Sequence, residues 1–173
     1  MKKFLLPALI FTVFSMSMVV LTILKIVSNE SGSNWIAIVL YFIVYFFLLR
    51  YIKIKHFDNK MTFKAIFKTG VTLALVSAVM VSICYFIYCN YLNYAGFREF
   101  MDKQMEIQIQ KQIDNGTYNL KMESMFKFFG SIESATIFAG INTIFFGTIY
   151  SLIIALVLKN KEETDEMGVP LQN

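Results

Sequence analysis

The side chains able to do chemistry are few, and their spacing does not bring them together. His56 is the only histidine. With no cysteine or second histidine nearby it makes a poor metal site, and it reads as an interfacial residue. Cys84 and Cys89 match neither a metal knuckle nor a redox pair. Five helical residues set them about 140° apart around a helix of 3.6 residues per turn. They cannot bond to each other there, and both read as buried packing thiols. The acids Glu99, Asp102 and Glu106 share part of one helix face but alternate with Lys103, the pattern of a solvated surface. There is no Gly-rich phosphate loop, no His-rich metal motif and no acid pair inside an apolar block. An active site needs titratable groups converging on a pocket. The expectation is therefore a protein that is not an enzyme, with no catalytic residues, cofactor or metal.

What must position these residues is a set of long apolar segments. Of 173 residues, 57% are hydrophobic and 16% charged. Soluble domains carry about a quarter charged residues. The excess is gathered into blocks near 4–27, 34–54, 66–92 and 132–158. Each reaches the roughly 20 residues needed to cross hydrocarbon as a helix. Strands are excluded, because an open strand edge in lipid leaves backbone groups unsatisfied. The expected fold is an all-α polytopic bundle of four membrane-spanning helices. The first block outruns a signal-peptide core of about 7–15 residues and lacks a small-residue cleavage site, so it reads as an uncleaved span. Pro7 falls in its first turn, where the missing N–H costs nothing.

Ten of the 16 basic residues lie on the side of the two termini. That bias is expected to place both termini in the cytoplasm. A net charge of +4 is too mild for nucleic acid. The inner segment from Arg50 to Lys68 interleaves Lys53, Lys55, Lys60, Lys64 and Lys68 with phenylalanines. This is first the positive-inside signal; it also offers an anionic-lipid surface, at about 1 kcal/mol per basic residue.

Outside, residues 95–130 are long enough to present a surface to water. Phe97, Met101, Met105, Ile109 and Ile113 recur every four residues and make one apolar helical face. Asp114-Asn115-Gly116-Thr117 punctuates the run, and Met122, Met125, Phe126 and Phe129 follow. The pattern predicts an amphipathic αα-hairpin resting on the bundle, the outer leaflet or a protein partner. The polar tail, 159–173, reads as cytoplasmic and disordered.

Lipid tails are as apolar as the side chains, so packing must come from small residues. Gly70, Ala74, Ala78 and Ser82 recur at intervals of four in the third span. Ala135, Ala139, Thr143, Gly147, Ser151 and Ala155 do so in the fourth. The stripes predict close packing of these two spans, or else a homodimer. Asn142 lies deep in the fourth span and reads as interhelical glue. Lys25 and Glu133, near the outer ends of their spans, are expected to pair or to snorkel to one interface.

The stretch MTFKAIFKTG (Met61 to Gly70), the exit YLNYAGFREFMDKQMEIQIQK (Tyr91 to Lys111) and the fourth span ending LVLKNK resemble the bacterial membrane family termed domain of unknown function 4199. The plan of four spans with a charged outer helix before the last is also similar. Asn93-Tyr94 stands where relatives typically read Asn-Pro. The resemblance implies location and architecture, and it brings no activity with it.

No charged residue lies in the middle of a span, which argues against a proton-coupled transporter. The favoured expectation is an accessory or scaffold subunit of a membrane complex. The alternative is lipid or lipid-linked-phosphate handling.

Overall fold

The computed structural model describes residues 2–23, 33–116, 124–125, 128 and 130–159. Its helices are α1 (Lys2–Ile23), α2 (Ser33–Phe57), α3 (Phe63–Ile87), α4 (Tyr94–Asp114) and α5 (Ile132–Leu158). A single π-helical turn, Tyr88–Leu92, extends α3. No strand occurs among the described residues. Four helices are long and apolar enough to cross a bilayer: Lys3–Thr22, Ile36–Phe57, Phe63–Leu92 and Ile132–Leu158. The last of them coincides with the whole of α5. The third begins three residues earlier than the apolar count suggests, because Thr62 caps it by accepting from the Ala65 N–H (3.4 Å).

The outward surface is as greasy as the interior. Leu5, Val13, Ile36, Phe47, Val79 and Val157 are all more than half exposed. A soluble protein rarely shows contiguous apolar surface on that scale. A bilayer removes the contradiction.

The closest helix pair is α3 with α5, and the small-residue stripes are the reason. Gly70 faces Ser151 with no room for a Cβ. A Cβ on Gly147 would stand 2.6 Å from that of Ala74, and one on Gly140 would stand 2.5 Å from Ser82 Oγ. At the inner end Ile66 meets Ala155. The contacts are antiparallel and within one chain, so Gly70, Ala74, Gly147 and Ser151 serve packing inside the bundle.

One detail of the stripe differs from its period of four. On an α-helix Gly140 lies only about 20° from Gly147, whereas Thr143 and Ala139 lie about 40° and 80° to one side. The buried seam residue in the outer half is accordingly Gly140, and Ala139 and Thr143 are only partly buried.

Helix α2 is held differently. Tyr45, fully buried, meets Phe11 edge-on (5.6 Å) and Tyr150 (6.1 Å). Tyr41 packs on Phe11 and Phe14, and Phe42 on Tyr150. Aromatic side chains keep helix axes apart where glycine lets them close.

The turn between α2 and α3 is made by Asp58 and Asn59, both left-handed (φ 46° and 60°). Asparagine and aspartate tolerate that region best after glycine. Beyond α3, Asn93 leaves helical geometry (φ −146°, ψ 48°) and starts α4. Tyr94 therefore occupies the first helical position, the one a proline fills without losing a hydrogen bond.

Of the hairpin predicted for residues 95–130, the described part is mainly α4. Phe97 is fully buried among Cys89, Ile132 and their neighbours. Met101, Met105 and Ile109 are half-buried, while Ile113 is exposed. The turn comes at Asn115-Gly116, where Gly116 has φ +66°. The second arm falls mostly outside the described residues, as do Lys25 and the tail from 160 on.

Candidate functional site: an apolar cavity between four spans

Helices α1, α2, α3 and α5 do not fill the space between them. A cavity of about 490 Å³ lies in the half of the bundle nearer the α1–α2 junction. Helix α1 contributes Phe11, Ser15 and Val19, one face at four-residue spacing. Helix α2 adds Ala37, Ile38 and Tyr41, and α3 adds Val81 and Tyr85. From α5 come Thr143, Tyr150, Ala139, Phe146 and Asn142. These five lie in that order about 40° to 140° around the helix from Gly147, all on one flank. The flank exists because the seam runs through Gly140 rather than through Ala139 and Thr143.

The lining is apolar apart from a few hydroxyls and one amide. Thr143 Oγ1 is committed to the Ala139 carbonyl (2.8 Å). Tyr150 donates to the Ile38 carbonyl (3.2 Å), which ties α5 to α2 at the wall. Ser15 Oγ is buried and makes no hydrogen bond of good geometry, although the Tyr41 hydroxyl is near enough to interact with it. Asn142 is exposed on the cavity rim. Among the described residues its amide has no hydrogen-bond partner. The sequence predicts interhelical glue at this position; the structure holds the helices together elsewhere and leaves the amide open.

Below the cavity the bundle closes. Tyr45 donates to the Gly70 carbonyl (2.6 Å) and lies 3.4 Å from Ser151 Oγ. Ser151 in turn donates to the Gly147 carbonyl (2.5 Å). A buried hydroxyl must find such partners, and these three residues fix α2 against both α3 and α5. The sequence reading passed over Tyr45, because one tyrosine among many aromatics carries no local mark of burial.

At the end of the bundle where α2 and α5 finish, the five lysines separate into two kinds. Lys53 is buried, only 7% exposed, and its Nζ donates to the Leu158 carbonyl (2.6 Å). It caps the C-terminus of α5, where a cation meets the negative end of the helix dipole. Its side chain is thus spent on structure rather than offered to a lipid headgroup. Lys55, Lys60, Lys64 and Lys68 are exposed, and Lys55 also donates to the Tyr51 hydroxyl (2.7 Å). Lys3 lies over the Phe57 ring at 4.3 Å and holds α1 to this end.

The residues whose types could do chemistry stay apart. Cys84 and Cys89 are both free thiols, one half-buried and one buried. His56 is exposed. Among the described residues no group of His, Cys, Asp or Glu is placed to hold a metal ion. Glu133 sits exposed in the first turn of α5, where an acid suits the helix dipole.

Fold and surface together define an integral, multi-pass membrane protein built as a four-span helical bundle with a further helix, α4, before the last span. The family model described as "Protein of unknown function (DUF4199)" matches residues 7–160, and the chain belongs to that family. No curated protein and no solved structure matches the chain.

Proposed function

We propose that this protein is a non-enzymatic membrane protein that holds a lipid-soluble molecule in the cavity between its four spans. The carrying observation is the cavity itself: about 490 Å³, walled mainly by Phe11, Val19, Ile38, Val81 and Phe146. Ligand sites in general are concave, mostly apolar and furnished with a few polar groups. Asn142 and Phe146, both exposed on its α5 side, give it an opening through which a membrane-dissolved molecule enters sideways.

The test is mass spectrometry of the protein purified from membranes in mild detergent. A hydrophobe should remain bound to the natural sequence and be lost from Val19→Trp, which fills the cavity. Equal retention by both proteins would refute the reading.

The accessory-subunit reading draws on a different observation. Helix α4 is anchored by Phe97 while Glu99, Asp102, Lys103 and Glu106 face outward, exposed. We propose it as the surface for a protein partner in the same complex. A stoichiometric partner that dissociates on charge reversal of Asp102 and Glu106 would support it. At the other end, exposed Lys55, Lys60, Lys64 and Lys68 favour anionic headgroups by surface attraction. The family resemblance supports a bacterial inner-membrane location, and the same basic bias supports cytoplasmic termini. Reporter fusions at either terminus test it, and activity of a periplasmic reporter there would overturn it.

A further inference from the structure

We infer that the cavity is selective for an uncharged hydrophobe whose head carries a hydroxyl or carbonyl oxygen, bound at mid-depth by Asn142 and Ser15. This deepens the function proposed above and rests on it.

The polar groups are few and deep. Ser15 is eight residues from the end of α1 at Ile23, roughly 12 Å along the axis at 1.5 Å per residue. Asn142 is ten residues into α5, which begins at Ile132, or about 15 Å. Both therefore lie near the centre of their spans, far from either surface. Each has unused capacity. The Ser15 hydroxyl is buried without a well-formed bond, which is unfavourable until a partner arrives. The Asn142 amide offers both donors and an acceptor, with no partner among the described residues. Serine and asparagine together can donate to a ligand oxygen and accept from a ligand hydroxyl.

Charge is what the site lacks. No Asp, Glu, Lys, Arg or His is among the lining residues. A phosphate or carboxylate at that depth would meet no counter-charge, and an unpaired charge near the bilayer centre is strongly disfavoured. The exposed lysines that would receive an anionic head lie at the far end of the bundle, beyond the Tyr45–Ser151 layer. Water alone is a poor occupant. A buried water needs two to four polar partners, and most of this wall is Phe, Val, Ile and Ala.

The experiment uses the full chain, stripped of lipid in detergent, and two probes of equal chain length: 1-decanoylglycerol, neutral, and decyl phosphate, anionic. Retention of each is read by native mass spectrometry. The neutral probe should bind at least tenfold more tightly than the phosphate. Asn142→Leu, which keeps the volume and removes the amide, should weaken the neutral probe about fivefold to tenfold, the worth of one or so hydrogen bonds at 1.4 kcal/mol per decade. Ser15→Ala should weaken it less, in the same direction. Preference for decyl phosphate, or unchanged retention by Asn142→Leu, would overturn the inference. The comparison of the two probes on the unmodified chain decides the matter even if a variant misfolds. Val19→Trp separates the levels: loss of both probes keeps the cavity as the binding site whatever the head preference. Retention of both by that variant removes the cavity and the inference with it.

Discussion

Helix α5 has two flanks that treat its neighbours in opposite ways. Along one, Gly140, Gly147 and Ser151 bring α3 so near that there is no space for another methyl group. Along the other, Ala139, Asn142, Thr143 and Phe146 border about 490 Å³ of open volume. Both flanks are largely apolar, and Gly140 and Gly147 lie at the depth of Ala139 to Phe146. The contrast shows that in a lipid-embedded bundle tightness is set by side-chain size, and hydrophobicity contributes almost nothing to it. One flank is built for stability. The other is left open, at the loss of the packing that a filled core would supply.

This comparison is most easily broken at Gly147. Gly147→Leu should drive its side chain into Ala74 and cost about 3 kcal/mol or more, as overpacking against a close backbone does. The expected result is aggregation or a large fall in melting temperature on size-exclusion and thermal assays. Folded monomers would instead return the stripe to a dimer interface. Ala139→Leu, of similar added bulk on the open flank, should leave the melting temperature within a degree or two or raise it. If the two substitutions were equally harmful, the distinction between flanks would be lost.

Smaller effects sharpen the picture. Tyr45→Phe removes the hydroxyl that reaches the Gly70 carbonyl and should cost about 1 kcal/mol. Urea or thermal unfolding in detergent reads it. Lys53→Met keeps the buried stem and deletes the bond to the Leu158 carbonyl, and it too should cost about 1 kcal/mol. Its mark is earlier fraying at the end of α5, seen as faster amide exchange near Leu158 than in the unmodified chain. The smallest change belongs to Lys60→Gln and Lys64→Gln, both exposed. They should leave stability within about 0.5 kcal/mol while weakening retention of anionic lipid. Identical behaviour of Lys53→Met and Lys64→Gln would erase the division of the lysines into structural and surface roles.

Much of the architecture is legible in the chain. The extent of α5, the turn at Asp58-Asn59 and the break at Asn115-Gly116 follow from local chemistry: apolar run length, left-handed tolerance and glycine. The pairing of α3 with α5 follows from two stripes of small residues, since only they permit close backbone approach. The choice of Gly140 over Thr143 was within reach too, by asking which residues stay on one line of a 3.6-residue helix. The roles of Tyr45 and Lys53 were not. Each depends on a carbonyl contributed by another helix, 25 and 105 residues away in the chain.

The cavity was out of sight for a related reason. In water, polarity distinguishes the outside of a helix from its inside, and a sequence can be read for it. In a bilayer the lipid-facing, protein-facing and cavity-facing sides are all apolar, so Val79, Val81 and Val19 look alike on paper. The sequence by itself determined how many times the chain crosses and which two spans touch, because crossing depends on segment length and touching on side-chain size. Only the tertiary structure decided which apolar surface meets lipid, which meets another helix and which lines the cavity. That assignment depends on how four helices are rotated about their axes, and no single segment holds that information.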